Sequence, residues 1–129
     1  MGEADSGFEV TRVEIPVMPG VTLIGLRGRV DYRTAPELRK ELLQRITGGK
    51  EERLVIELGG VDAMDTAGAA VLVEAMQTGR VCDKAVLFCA PSAAVVRTFR
   101  LAGLVDALAR CCSGPDEVRE KFEDAAEPA

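Results

Sequence analysis

The first half of the chain alternates between the hydrophobic spacing of strands and that of a helix. From Phe8 to Ile15 apolar residues alternate with polar ones, which predicts a strand with one buried face. A Pro-Gly turn follows, and the apolar run from Val21 to Leu26 predicts a second strand, antiparallel to the first. Thr34-Ala35-Pro36-Glu37 matches a capping box, so a helix is expected to begin at Thr34 and to end at Gly48-Gly49.

The middle of the chain contains two short apolar runs that flank a longer one. Leu54 to Leu58 and Ala85 to Cys89 predict buried strands of the kind found in parallel sheets. Between them, Gly59 to Asp65 is interpreted as a tight loop, and Thr66 to Thr78 as a helix that ends at Gly79. This helix is nearly all Ala, Val, Leu and Met, which predicts burial on most of its sides.

The last third of the chain predicts two more helices and a short strand. Ser92 is expected to cap a helix that ends at Gly103, and Val105 to Leu108 is interpreted as a strand. A final helix carries Val118 and Phe122 at helical spacing. With right-handed crossovers, this order predicts an α/β fold: a mixed sheet of four to five strands with an N-terminal antiparallel hairpin, a parallel centre and about four helices.

The length of 129 residues indicates one domain with a single core. We expect a disordered leader over residues 1–7, the folded domain over 8–124 and a frayed tail over 125–129. The N-terminus lacks the charge and hydrophobicity pattern of a signal peptide, and no apolar run approaches the ~20 residues of a membrane span. These features predict a cytoplasmic protein without direct membrane insertion.

Charge and cysteine content argue against several classes of function. The net charge is −5 with no basic block, so nucleic-acid binding is not expected. The chain has no histidine, and Cys82, Cys89, Cys111 and Cys112 do not have the spacing of a zinc site. We therefore expect reduced thiols, with Cys111 and Cys112 the more exposed pair, and no metal, cofactor or enzymatic activity.

The stretch from Leu58 to Val73 carries the candidate functional residues. Asp65 and Thr66 stand where a helix begins, so a carboxylate, a hydroxyl and free backbone N–H groups meet at one surface point. Such a point suits an anion or a positive group of a partner. The alternative is simple capping by Asp65 or Thr66. Asp31 either adds to this acidic rim as a partner contact or only starts the turn into the first helix.

Three segments at their separations resemble the STAS domain family, which includes the bacterial anti-sigma factor antagonists. They are Gly28-Arg29-Val30-Asp31, Asp65-Thr66-Ala67-Gly68 and Val96 to Leu104. The resemblance implies an interaction module that binds an anti-sigma factor, which is also a serine kinase, through Asp31, Asp65, Thr66, Ala67 and Gly68. The family's phosphorylated serine corresponds to Ala67, which has no hydroxyl.

Two functions follow from this resemblance. The first is an anti-sigma factor antagonist, regulated otherwise than by a phosphoserine at Ala67, with Thr66 as an alternative phospho-acceptor. The second is an accessory subunit of a lipid-transport ABC system that binds the ATPase near Thr66, because STAS proteins of such systems carry a threonine directly after this aspartate. A homodimer is compatible with either function, and the sequence alone does not choose between the two partners.

Overall fold

The computed structural model describes residues 8–14, 20–49, 52–113 and 117. The strands are β1 (Phe8–Glu14), β2 (Val21–Val30), β3 (Arg53–Met64) and β4 (Ala85–Cys89), and the helices are α1 (Ala35–Gly48), α2 (Thr66–Val81), α3 (Ala93–Leu101) and α4 (Val105–Ala109). Within these ranges the strands form one sheet in the order β1-β2-β3-β4. β2, β3 and β4 are parallel, and β1 pairs with β2 in the antiparallel direction.

The main core lies between one face of the sheet and helices α1, α2 and α3. Alternate strand residues point into it, because side chains of a strand alternate between its two faces. Its largest fully buried members are Ile24, Leu26, Leu38, Leu42, Ile46, Leu54, Ile56, Leu58, Leu72 and Phe99. The rings of Phe88 on β4 and Phe99 on α3 meet edge to face at 6.3 Å, which positions α3 against the sheet.

Helix α1 ends at Gly48 as predicted, but its capping box is not formed. The Thr34 side chain makes no hydrogen bond to the helix. Its hydroxyl instead accepts a hydrogen bond from the Asp31 amide at 3.0 Å and donates to the Arg29 carbonyl at 3.1 Å. Thr34 is almost completely buried, so its hydroxyl satisfies the turn after β2 and is not free to cap the helix.

Strand β3 is longer than the sequence indicated, and the tight loop expected over Gly59 to Asp65 is wrong. Residues up to Met64 pair with the end of β2, with two register shifts on the way. Gly60 lies so close to β2 that a Cβ atom there would be 3.0 Å from the Leu26 carbonyl oxygen. The glycines therefore allow close strand pairing. In the sequence alone, a glycine pair of this kind cannot be distinguished from a turn.

The strand expected over Val105 to Leu108 is wrong, since these residues belong to α4. Gly103 ends α3 at φ +77°, and Leu104, Ala107 and Leu108 then pack on the core at helical spacing. Strand-like pairing beyond β4 is limited, within the described ranges, to a single parallel bridge between Cys89 and Cys112.

Several other predictions concern residues outside the described ranges. They include the leader over 1–7, the turn after Ile15, the tail over 125–129 and the helix with Val118 and Phe122.

The cysteines are less accessible than expected. Cys112 is fully buried and Cys111 is half-buried, so the interpretation of these two residues as an exposed pair is wrong. Cys89 is also buried, and burial raises the pKa of its thiol, with smaller contributions from the charges of Glu57 and Glu117. Because the thiolate is the reactive form, a raised pKa makes Cys89 a poor nucleophile at neutral pH.

We therefore expect iodoacetamide to modify the half-buried Cys82 well before Cys89 in the native protein at neutral pH. Peptide mapping by mass spectrometry over a time course measures both rates. Raising the pH should accelerate the reaction of Cys89 only in the alkaline range, above the usual titration of a thiol. In urea both cysteines should react alike, and equal native rates would contradict the inferred burial.

Candidate functional site

Asp65 joins the end of β3, the start of α2 and the loop after β2. Its Oδ1 atom accepts a hydrogen bond from the Gly68 amide at 3.0 Å, so Asp65 supplies the N-cap of α2. Its Oδ2 atom accepts another from the Tyr32 amide at 3.0 Å. The Asp65 amide also lies 3.4 Å from the Val30 carbonyl, to which it donates. One side chain thus caps the helix and connects it to the neighbouring loop.

Asp31 begins the turn that leads into α1. Its Oδ1 atom accepts hydrogen bonds from the Arg33 amide at 3.0 Å and the Thr34 amide at 3.3 Å, and its Oδ2 atom is 4.0 Å from Arg29 Nε. These bonds give Asp31 the turn-starting role that was one of its two predicted roles. Because Asp65 binds the amide of the adjacent Tyr32, the two acidic residues belong to neighbouring, connected loops.

The next three residues occupy different environments at the start of α2. Thr66 is exposed, Ala67 is half-buried against the core, and Gly68 is buried. A Cβ atom on Gly68 would overlap the Val30 carbonyl oxygen, so α2 packs directly on the backbone of β2 at this point. Of these three, Thr66 and the exposed part of Ala67 are accessible to a partner, whereas Gly68 sets how closely the helix approaches the sheet.

An exposed aromatic residue beside Asp65 was missed by the sequence analysis. Tyr32 is the only tyrosine of the chain, and its side chain is 64% exposed. Arg33 Nε donates to the Tyr32 hydroxyl at 3.0 Å, which raises the pKa of the Arg33 guanidinium. The guanidinium also lies 5.6 Å from the ring centroid. Exposed tyrosine and arginine are common at binding surfaces, and a tyrosine in a polar turn was the available signal.

A shallow groove of about 300 Å³ extends from Thr66 along α2 towards the α3–α4 junction. Its lining residues are Thr66, Ala69, Ala70, Val73, Glu74, Gln77, Ala102 and Leu104. Glu74 forms a bidentate ion pair with Arg39, with both N–O distances 2.7 Å, and this pairing lowers the pKa of the Glu74 carboxyl. The groove therefore has a mostly small and apolar lining, and its one acidic residue is paired.

We name Asp31, Tyr32, Asp65, Thr66 and Ala67, together with this groove, the switch surface. Among the described residues, no group of three His, Cys, Asp or Glu side chains is placed to hold a metal ion. No helix in the same part of the chain is long and apolar enough to cross a membrane. The geometry of the switch surface suits contact with another protein, since it combines an exposed helix start, an aromatic residue and an apolar groove.

Solved structures with the same fold carry the name of anti-sigma factor antagonists. The unphosphorylated antagonist SpoIIAA matches 93% of this chain and 100% of its own, with 16% identity and a TM-score of 0.67. An antagonist from Mycobacterium paratuberculosis matches 92% of this chain and 97% of its own, with 20% identity and a TM-score of 0.73. At these identities the likeness concerns the α/β fold with its three parallel strands.

The same fold also occurs within a much larger protein. The structure of SLC26A9 matches 93% of this chain but only 24% of its own, with 11% identity and a TM-score of 0.67. The family model described as the STAS domain matches residues 12–125 of the sequence, which is most of its length. The chain therefore belongs to the STAS domain family.

Proposed function

We propose that this protein is a non-enzymatic interaction module of the anti-sigma factor antagonist type. It binds an anti-sigma factor of the serine-kinase class in the bacterial cytoplasm and thereby regulates transcription that depends on a sigma factor. The observation that carries this proposal is the switch surface, where exposed Thr66 and half-buried Ala67 begin α2 beside exposed Tyr32. The antagonists of the same fold support it.

The bonding of the two aspartates favours binding over catalysis. Both carboxylate oxygens of Asp65 accept backbone amides, and Asp31 Oδ1 accepts two more. A general acid or base needs a polar atom within reach of a substrate proton, and these atoms are occupied by the protein itself. With no histidine in the chain, the switch surface acts by presenting a fixed shape and charge.

Ala67 makes the proposed interaction independent of the usual phosphoserine. In a regulated antagonist, a phosphate at this position adds a charge of about −1.5 to −2 to the interface. Ala67 has no side-chain hydroxyl to accept a phosphoryl group, so the protein remains competent to bind. Thr66 is the adjacent hydroxyl, but neighbouring helix positions differ by about 100° in direction, which puts Thr66 out of reach of a kinase that acts at the next residue.

Incubation with the cognate kinase and ATP is therefore expected to leave the switch surface without phosphate. The Ala67→Ser variant should instead gain stoichiometric phosphate, because it restores a hydroxyl where the kinase acts. Intact-mass and peptide mass spectrometry distinguish the two proteins, and Thr66→Val in the Ala67→Ser background identifies which residue is modified. Stoichiometric phosphate on Thr66 in the native protein would contradict the proposal of a lost switch.

A second candidate is an accessory subunit that binds the ATPase of a lipid-transport ABC system. The observation in its favour is that Thr66, directly after Asp65, is exposed while the following Ala67 has no hydroxyl. Calorimetric titration of the purified protein with the anti-sigma factors, and separately with the ABC ATPases, of the same genome decides between the candidates. Binding to an ATPase, with none to any anti-sigma factor, would replace the first proposal by the second.

A further inference from the structure

Strand β4 forms one edge of the sheet within the described part of the chain. The Ala85 amide donates to the Glu52 carbonyl beside β3 at 2.9 Å. In a parallel ladder alternate residues bond to the same neighbour, so Ala85, Leu87 and Cys89 bond to β3. The N–H and C=O groups of Val86 and Phe88 consequently point away from the sheet.

Pairing on the outer side of β4 begins but stops after one residue. The Cys112 amide donates to the Phe88 carbonyl at 2.9 Å, and the Ala90 amide donates to the Cys112 carbonyl at 2.7 Å. Two residues earlier, the Arg110 amide donates to the Ala107 carbonyl at 3.3 Å and closes α4 instead. Within the described residues the ladder therefore does not continue to Val86, and the residues that were predicted to form a last strand form α4.

Three polar groups of the β4 edge consequently have no partner among the described residues. They are the N–H and C=O of Val86 and the N–H of Phe88. An open strand edge of this kind is a template for one more strand from another chain.

A groove of about 690 Å³ lies against this open edge. Buried Val86 and Phe88 contribute to its apolar lining, together with Met76 of α2. Its charged lining residues in the described part of the chain are Arg53, Arg80, Lys84 and Arg110, with the acids Glu52 and Asp83. We name these residues and the outward groups of Val86 and Phe88 the edge groove.

The charge of the edge groove is opposite to that of the whole protein. Among the described lining residues, four cations and two acids give a formal charge of +2, whereas the whole chain carries −5. Arg80 and Arg110 are exposed, and Lys84 Nζ donates a hydrogen bond to the Gly49 carbonyl at 2.6 Å. If two copies of the chain paired through their β4 edges, the basic residues of the two edge grooves would lie close together. Charge repulsion therefore disfavours a second copy as the occupant of the edge groove.

We propose that the edge groove binds an extended acidic segment of a partner protein, which adds to β4 as a further strand. Its main chain bonds to the N–H and C=O of Val86 and to the N–H of Phe88. Its acidic side chains lie near Arg80 and Arg110, and its apolar side chains contact the lining of the groove. The main-chain bonds supply affinity, and the charges select an acidic segment.

The edge groove is separate from the switch surface. Thr66 and Arg80 lie at opposite ends of α2, fourteen residues apart, which corresponds to about 21 Å of helix. The proposal does not depend on the function assigned to the switch surface, because it rests on the β4 edge alone. The described lining residues of the two grooves have no member in common.

The probe for this proposal is a fluorescein-labelled ten-residue peptide in which Glu and Val alternate, measured by fluorescence anisotropy against the full chain. We expect saturable binding that weakens with salt. Peptides with Lys in place of Glu, or with N-methylated valines that cannot donate hydrogen bonds, should not bind. Failure of the acidic peptide to bind, or equal binding of the Lys peptide, would overturn the proposal.

Charge-reversing variants test the site without touching the core. Arg80→Glu and Arg110→Glu should each weaken binding of the acidic peptide at least about fivefold. Arg97→Glu is the matched control, since Arg97 is exposed on α3 and is not part of the edge groove, and it should leave binding unchanged. Equal effects of all three variants would show a nonspecific response to net charge and would overturn the site.

Amide hydrogen exchange followed by NMR tests strand addition itself. The acidic peptide should slow exchange at Val86 and Phe88, while Leu87, already bonded to β3, should change little. Binding without this protection would overturn the proposed strand addition. Slow exchange of both amides before peptide is added would show that another segment already pairs with β4. That segment would belong to the same chain if the protection is independent of protein concentration, and to a second copy if it is not. Either result would overturn the proposal.

Discussion

Replacing Gly68 by alanine is expected to lower the free energy of unfolding by about 3 kcal/mol, the largest stability effect that we predict. The added Cβ atom would overlap the Val30 carbonyl oxygen and lie 2.7 Å from Val30 Cγ1. The carbonyl oxygen cannot move without shifting strand β2, and the Val30 side chain has little room to turn because Val30 is completely buried at the end of that strand. The start of α2 would have to move away from the sheet, together with the Asp65 cap.

Urea denaturation followed by circular dichroism measures this effect. Gly48→Ala is the matched control, since a Cβ atom at the last residue of α1 would meet nothing within 4 Å. There the substitution should be neutral or stabilising by up to about 1 kcal/mol, because alanine lowers the conformational entropy of the unfolded chain. Similar stabilities for Gly68→Ala and the native protein would show that α2 does not pack directly on β2.

Replacing Ala67 by glutamate is expected to weaken partner binding by a factor of about 100 or more, equivalent to about 3 kcal/mol. The Ala67 side chain is half-buried at the start of α2, in the middle of the switch surface. A carboxylate there would lose water on binding without gaining a partner of opposite charge. The fold should persist, because the longer side chain can turn its charged end towards solvent in the free protein.

Calorimetric titration with the proposed anti-sigma factor measures the affinity, and circular dichroism of the same sample verifies the fold. Ala109→Glu provides the control: it introduces the same charge at an exposed residue of α4 outside the switch surface, and it should bind normally. Unchanged affinity of folded Ala67→Glu would place the interface elsewhere. Equal losses in both variants would point to a general effect of negative charge.

The elements that the sequence predicted well are those in which local chemistry and burial agree. The strand predicted over Ala85 to Cys89 has the same bounds as β4. A short apolar run that is followed by Pro and Ser is too short for a helix and ends clearly at the proline. Ser92 caps α3 as expected, with its hydroxyl accepting a hydrogen bond from the Val95 amide at 3.3 Å. Helix α2 begins at Thr66 as predicted and continues past Gly79 to Val81.

The errors occur where contacts outside the predicted element override a local signal. Gly59-Gly60 has the sequence of a turn, yet these residues lie within the continuous strand β3, and Gly60 packs closely against the backbone of β2. Val105 to Leu108 has the composition of a strand, yet Leu104, Ala107 and Leu108 reach the core only as a helix. The Thr34 hydroxyl matches a capping box, yet it is used by the turn from Arg29 to Asp31. In the first two cases the competing partner is a distant segment, and for Thr34 it is the backbone of the preceding turn.

By itself, the sequence determined the family, the alternation of strands and helices, and the residues at the start of α2, because hydrophobic period and capping chemistry are local properties. Only the tertiary structure decided what those residues do. It connects Asp65 to the amides of both Gly68 and Tyr32, and it buries Gly68 on Val30 while leaving Thr66 exposed. Among the described residues it also leaves polar groups on the outer side of β4 unpaired beside a cationic groove, since Val105 to Leu108 form α4 and not a strand. These features depend on which backbone atoms of distant segments come into contact, and a local sequence pattern does not determine those contacts.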